Sequence, residues 1–228
     1  MTDAVELNED QRGVREPRIK LEKASKSYDM GQIQVQALRE VTLEVMAGEF
    51  IVFLGPSGSG KTTLLNLIGG LDSPSSGRIE VNGIDITQLT ANQLTKFRRT
   101  QIGFIFQFFN LIPTLTAKEN VEFAAELVAH RRLPEEILRE VGLGERMNHF
   151  PSELSGGENQ RVAIARALAT DPPVILCDEP TGSLDFETGK RIFKLLRELN
   201  ETKQKTVVVV QTARRFIAEN HGRVRGKR

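Results

Sequence analysis

From residue 18 the chain alternates apolar and polar positions in short runs. Ile19 and Leu21, then Ile33, Val35 and Leu38, then Val41, Leu43 and Val45 form such segments, with turn residues between them. An apolar residue at every second position puts one face of a strand into a core, so these segments predict antiparallel strands. The pattern then changes. Phe50-Ile51-Val52-Phe53-Leu54 is a continuous apolar run, as in a strand covered on both faces. Thr63 to Ile68 predicts a helix ended by Gly69-Gly70, and Ser73 to Gly77 predicts a turn. Ile79 to Val81 and Ile102 to Phe106 predict further strands. From Ala117 to about Met147 the period is helical and the charge high. Gly156-Gly157 interrupts the chain, and a helix follows from Glu158 to Ala169. Val174 to Cys177 predicts a short buried strand, about Glu187 to Leu199 a charged helix, and Thr206 to Val210 a final strand. Strands alternating with helices predict a mainly parallel sheet, and so an α/β fold.

Composition narrows the function classes. The 228 residues suffice for one substantial domain. Lys plus Arg number 31 against 30 Asp plus Glu, so net charge gives no sign of a strongly basic nucleic-acid binder. Cys177 is the only cysteine; it cannot form an internal disulfide, fits a reducing compartment, and reads as a small buried residue. Residues 1–16 are polar and read as a flexible extension without a signal-peptide stretch. No run approaches the roughly 20 apolar residues that cross a bilayer, so work at a membrane would need a separate anchor.

The sharpest chemistry lies between the buried strand and the helix after it. Gly55-Pro56-Ser57-Gly58-Ser59-Gly60-Lys61-Thr62 fits the phosphate-binding pattern G-x-x-x-x-G-K-[ST]. Glycines at 55, 58 and 60 let backbone N–H groups approach phosphate oxygens, and the helix N-terminus adds positive potential. Lys61 is placed to reach β- and γ-phosphates and Thr62 to offer its hydroxyl to magnesium. A second constellation closes the strand Val174 to Cys177: Asp178 can hold magnesium, and Glu179 can orient or deprotonate a water. Carboxylates at the C-terminal end of such a strand stand where open α/β sheets bind ligands.

A further run decides the class. Leu154-Ser155-Gly156-Gly157-Glu158-Asn159-Gln160 is very similar to the LSGGQ signature of ATP-binding cassette (ABC) ATPases. Other motifs fall in that family's order: Tyr28 at the adenine-stacking position, Gly55 to Thr63 as Walker A, Gln107 as the Q-loop, Val174 to Glu179 as Walker B, and Ser183-Leu184-Asp185 as the D-loop. The resemblance spans about residues 18–211. The wording around Ala37 to Val41, Gly103 to Gln107, Asn110 to Thr116 and Arg161 to Leu168 looks like the lipoprotein-releasing and macrolide-export group, which includes the cell-division cassette.

The resemblance implies a P-loop NTPase (RecA-like) core with an antiparallel β-subdomain and an inserted helical subdomain at about 108–160, within a cassette domain at 17–212. It implies ATP and Mg2+, with ATP contacts from Tyr28, Gly55 to Gly60, Lys61, Thr62 and Thr63, metal contacts from Thr62, Gln107 and Asp178, and catalysis by Glu179, Lys61 and Gln107. Ser155, Gly156, Gly157 and Glu158 would face the ATP of a second copy in a head-to-tail dimer, with Asp185 in the D-loop. Partners would be that second cassette and integral membrane permease subunits, with no nucleic acid, and the place the cytoplasmic face of the membrane. Tyr28 taken alone reads as a packing residue, although an aromatic face can stack on adenine. Phe104, Phe106, Phe108 and Phe109 read mostly as core, or Phe108 to Leu111 as a face toward the membrane subunit.

The sequence departs from the family in three places. The family's switch histidine follows the last sheet strand, where this chain has Thr212. Threonine is shorter and carries no positive charge, so slowed hydrolysis is expected, and the alternative reading is a cassette that binds ATP as a regulator or scaffold. Residues 213–228 carry Arg214, Arg215, Arg223, Arg225, Lys227 and Arg228 against Glu219. That tail reads either as an altered C-terminus or as a segment for anionic lipid or nucleic acid. The stretch between Asn120 and Leu143 is several residues shorter than the family's helical lobe.

Overall fold

The computed structural model describes residues 17–29, 31, 33–129 and 132–212. The extension at 1–16 and the basic tail at 213–228, with His221, lie outside the described residues.

Two four-stranded sheets organise the chain. The first is antiparallel and contains β1 (Pro17–Asp29), β2 (Gln34–Met46), β4 (Ser76–Val81) and β5 (Ile84–Asp85), in the order β2-β1-β4-β5. The second is parallel and contains β3 (Phe50–Gly55), β6 (Ile102–Ile105), β7 (Val174–Asp178) and β8 (Thr206–Thr212), in the order β3-β8-β7-β6. The α/β expectation therefore holds, with both a parallel and an antiparallel sheet. The helices are α1 (Lys61–Ile68), α2 (Ala91–Gln101), α3 (Ala117–Ala125), α4 (Pro134–Glu140), α5 (Gly156–Leu168) and α6 (Phe186–Lys203).

The four valines of β8 show how the parallel sheet is buried. Val207 and Val209 join a core with Ile175, Cys177 and the apolar faces of α3 to α6. Val208 and Val210 join a second core with Val174, Leu176, α1 and the antiparallel sheet. All four are fully buried, and each contributes about 1.5–3 kcal/mol through burial. β3 is covered on both faces, as its continuous apolar run predicts: Ile51 and Phe53 meet one core and Phe50, Val52 and Leu54 the other. It lies at the sheet edge, and all six of its residues are only half-buried.

Two expectations are corrected and one helix is added. The segments at Ile33 to Leu38 and Val41 to Val45 form one 13-residue strand, β2, which begins after Ile33. Its inward positions change phase between Leu38 and Val45, at Glu40, whose φ is 42°; β1 slips likewise at Lys23, φ 46°. Such bulges reset the period of two and make one strand read as two. The stretch 117–147 is not one helix: α3 ends at Ala125, α4 starts at Pro134, and a short 3-10 turn spans Gly144–Arg146. A proline suits the first turn of a helix and not its interior. Helix α2 was not foreseen, because Phe97 is its only buried residue and the apolar stripe is too thin to show a period. Its start was readable in the capping box of Thr90 and Gln93.

Candidate functional site

The loop from Gly55 to Gly60 joins β3 to α1, at the C-terminal end of the parallel sheet. Gly60 takes φ 83°, a left-handed conformation that costs glycine little, and it turns the chain into the helix. Thr90, Thr116, Ser155 and Asp185 each cap the start of α2, α3, α5 and α6 with a side-chain oxygen. No side chain caps α1. Its first N–H groups thus remain directed at the loop, which is the arrangement that binds an anion. Pro56, Ser57, Gly58 and Ser59 are exposed. Lys61 folds back over the loop, where its Nζ donates to the carbonyls of Gly55 at 3.0 Å and Pro56 at 2.7 Å.

Thr62 donates its hydroxyl to Asp178 Oδ1 at 3.2 Å, which brings two residues 116 positions apart onto one point. Burial raises the Asp178 carboxyl above its ordinary range, against the opposing pull of Thr62 and Lys61. The donors here are a hydroxyl and a carboxylate, and among the described residues no group of three His, Cys, Asp or Glu is gathered. Magnesium is held by hard oxygen donors, typically one or two carboxylates, and completes its shell with water and substrate phosphates. This sparse oxygen set fits that ion.

Glu179 follows with φ 46°. Its N–H donates to Val210 O at 3.0 Å and its carbonyl accepts from Gly182 N–H at 2.8 Å, so a turn at the end of β7 fixes its backbone. Thr181, in that turn, accepts a bond at 3.2 Å from the amide of Gln211, which is fully buried in β8. Thr212 pairs in register with Gly55, so the expected histidine position stands beside the start of the phosphate loop. The Gln107 carbonyl accepts from Ser183 Oγ at 2.9 Å, and its side chain lies across Gly182. Gln107 is thereby joined to the segment that carries Glu179.

The run Ser155 to Glu158 builds the start of α5. Ser155 and Glu158 bond reciprocally: Glu158 N–H to Ser155 Oγ at 3.3 Å, and Ser155 N–H to Glu158 Oε2 at 2.9 Å. Bonds from the Ser155 hydroxyl and backbone hold the Glu158 carboxyl below its ordinary range. Gly156 packs by Leu184, and Gly157 faces Thr188 of α6. Asp185 caps α6 by accepting from Thr188 N–H at 3.0 Å. The chain therefore gathers Ser155 to Glu158 with Asp185 around α5 and α6. Gly55 to Thr63 and Asp178 gather at the end of the parallel sheet.

Tyr28 lies near the end of β1 and is 36% exposed. Three features of the site escaped the sequence: the bond from Tyr28 to Asp72, the bond from Gln211 to Thr181, and the hold of Arg166 on the carbonyls of Phe109 and Asn110. All three join segments far apart in the chain, and no local pattern signals them.

A family model described as ABC transporter matches residues 38–182. The ABC transporter ATP-binding protein MJ0796 of Methanocaldococcus jannaschii is 51% identical over 201 residues, 84% of this chain and 86% of that protein. The lipoprotein-releasing system ATP-binding protein LolD of Colwellia psychrerythraea is 48% identical over 193 residues, 82% of this chain and 74% of that protein. The macrolide export ATP-binding/permease protein MacB of Brucella melitensis is 45% identical over 213 residues, which make up 33% of its length. The solved dimer of the cassette MJ0796 in a post-hydrolysis state, bound to ADP and Pi, superposes with a TM-score of 0.78, covering 85% of this chain and 87% of that one.

Proposed function

The chain belongs to the ABC transporter family, and on that premise we propose that it is the ATP-hydrolysing subunit of a transporter whose membrane subunits are separate chains. The observation that carries the reading is the junction of β3 and α1. There an uncapped helix start and Lys61 stand beside the bonded pair Thr62 and Asp178. N–H groups from the loop take the phosphates, Tyr28 takes the adenine, and Thr62, Asp178 and Gln107 hold magnesium. Bound there, magnesium supplies positive charge to the phosphate oxygens. Lys61 swings from the Gly55 and Pro56 carbonyls to the γ-phosphate and offsets the charge that builds up in the transition state. Glu179 orients the attacking water and takes its proton.

Hydrolysis needs a second copy. Within one chain the helix start at Ser155 to Glu158 packs with α6, whereas the phosphate loop ends the parallel sheet. A head-to-tail pair would set the Ser155 to Gly157 run of one copy over the γ-phosphate held by the other, with Asp185 at the seam. Among the described residues no helix is long and apolar enough to cross a membrane, so membrane subunits would hold the dimer at the cytoplasmic face. The surface suited to them includes exposed Phe108, together with exposed Phe123 and Leu127, which line a 340 Å³ cavity with Phe104, Phe106 and Arg166. The relatives' names point to export or release of a lipophilic or lipoprotein cargo. The cassette domain would comprise residues 17–212, with its helical subdomain near 108–160.

A second reading rests on Thr212. Its hydroxyl cannot carry the positive charge of a histidine, so the cassette would close on ATP and turn it over slowly, as a regulator or scaffold.

Light scattering of a Glu179→Gln variant tests the main reading, since loss of the base leaves ATP clamped between two copies. We expect a monomer without nucleotide and a dimer with ATP and magnesium, and no such dimer once Lys61→Ala is added. A Glu179→Gln protein that stays monomeric with saturating ATP would refute it.

A further inference from the structure

Tyr28 is placed by a bond to its far end. Its partner in β2, Val35, is 43% exposed, so the neighbouring strand buries the ring only partly. The Tyr28 hydroxyl donates to Asp72 Oδ2 at 2.9 Å. Lys26 Nζ donates to Asp72 Oδ1 at 2.6 Å and to the Ser73 carbonyl at 2.8 Å, and stands over the Tyr28 ring 5.0 Å from its centroid. One ring face is thus covered by a cation, while the residue as a whole stays 36% exposed.

Asp72 is itself fixed. Its N–H donates to the carbonyl of Asn66 at 3.2 Å, Leu71 N–H donates to the same carbonyl at 2.9 Å, and Ser73 N–H donates to Asp72 Oδ1 at 2.7 Å. Asn66 belongs to α1, the helix whose first residues are Lys61 and Thr62. A continuous path therefore runs from the phosphate loop, along one eight-residue helix, through Asp72, to the Tyr28 hydroxyl.

We infer that Asp72 is the positioning residue for adenine: it sets the Tyr28 ring at a fixed place relative to the phosphate loop, so that one rigid helix locates both ends of the nucleotide. This rests on the reading of Tyr28 as the base platform. An aromatic face binds a base by stacking, and a platform locked beforehand loses less rotamer freedom when the base arrives. Tyrosine serves here where phenylalanine would not, because only its hydroxyl reaches the Asp72 carboxylate.

The test compares binding of ATP with binding of tripolyphosphate, which has no base, in the full chain. Tyr28→Phe keeps the ring and removes the anchor, Asp72→Ala removes its acceptor, and Tyr28→Ala removes the platform. We expect Tyr28→Phe and Asp72→Ala each to weaken ATP about threefold to tenfold, the range of one net hydrogen bond. Tripolyphosphate affinity should stay within error of the wild type, and the double variant should be no weaker than either single one. If Tyr28→Ala weakens ATP while Tyr28→Phe and Asp72→Ala do not, the anchor is refuted and the platform stands. ATP binding by Tyr28→Ala at the wild-type level would overturn both. An equal loss of tripolyphosphate binding would show that Asp72 supports the fold as a whole, and would also refute the proposal.

Discussion

The Thr62 hydroxyl bonds Asp178 Oδ1 at 3.2 Å, joining the first turn of α1 to the end of β7. Neither residue is specific alone, since a threonine at a helix start and an aspartate after a strand are common. The bond makes them one oxygen-rich point beside Lys61. A Thr62→Val substitution keeps the shape and removes the hydroxyl. It should lower magnesium-dependent ATPase activity on the order of 10–100-fold, as loss of a metal-holding partner does. Steady-state phosphate release over a magnesium titration is the measurement, and activity within twofold of wild type would exclude the role.

Gly182 lets Gln107 lie across the turn that carries Glu179. A Cβ at 182 would stand 2.7 Å from Gln107 Nε2 and 2.8 Å from its Cδ. Gly182→Ala should therefore push the Gln107 side chain away, and ATPase activity should fall while ATP affinity holds. Comparing equilibrium ATP binding with turnover separates the two. Equal losses in both would place Gln107 outside the reacting centre.

Helices α5 and α6 meet through Gly157, where a Cβ would stand 2.5 Å from Thr188 Cγ2. The threonine methyl sits on a stiff β-branched side chain and yields little. Gly157→Ala should cost about 1–3 kcal/mol of stability in urea unfolding, as overpacking does. Adding Thr188→Ser should restore a large part of that loss, because it removes the methyl that clashes. Simple addition of the two effects would mean that the contact does not set the helix spacing.

The Ser155 and Glu158 pair gives a pH dependence with a definite sign. The Glu158 carboxyl is held below its ordinary value of 4.5 by bonds from Ser155. A carboxyl lowered in this way stabilises the fold above the unfolded value, and that support is lost as pH falls through the folded one. Glu158→Gln keeps an oxygen for the cap and loses the charge at the helix start. It should cost about 0.3–1 kcal/mol at pH 7. The gap should close as pH drops below 4.5. Thermal unfolding of both proteins over that range checks it, and a gap that widens in acid would reverse the argument.

Thr212 sits in register with Gly55 at the mouth of the phosphate loop. A histidine there could hold the attacking water together with Glu179. Thr212→His should raise ATPase turnover about tenfold or more, the scale of a positioned proton-transfer group. A wild type that already matches the variant would show that the threonine costs nothing.

How much of this was readable in advance depended on the range of the interactions. The phosphate loop, the Asp178 and Glu179 pair and the Ser155 to Glu158 cap are local patterns, each complete within a few consecutive residues. The four valines of β8 likewise announce a strand buried on both faces. By itself, then, the sequence determined the α/β class and the chemistry of the loop, whereas it set the start of α5 at Glu158 and the structure places both glycines, Gly156 and Gly157, inside the helix, behind the Ser155 cap. Only the tertiary structure decided that β2 runs unbroken through a bulge at Glu40, that β3 is an edge strand, and that Thr62 meets Asp178. It also decided that Tyr28 is tied to Asp72 and Gln211 to Thr181. Those outcomes depend on which distant segment comes to lie alongside, and that follows from burial of two shared apolar cores, which no short stretch of residues encodes.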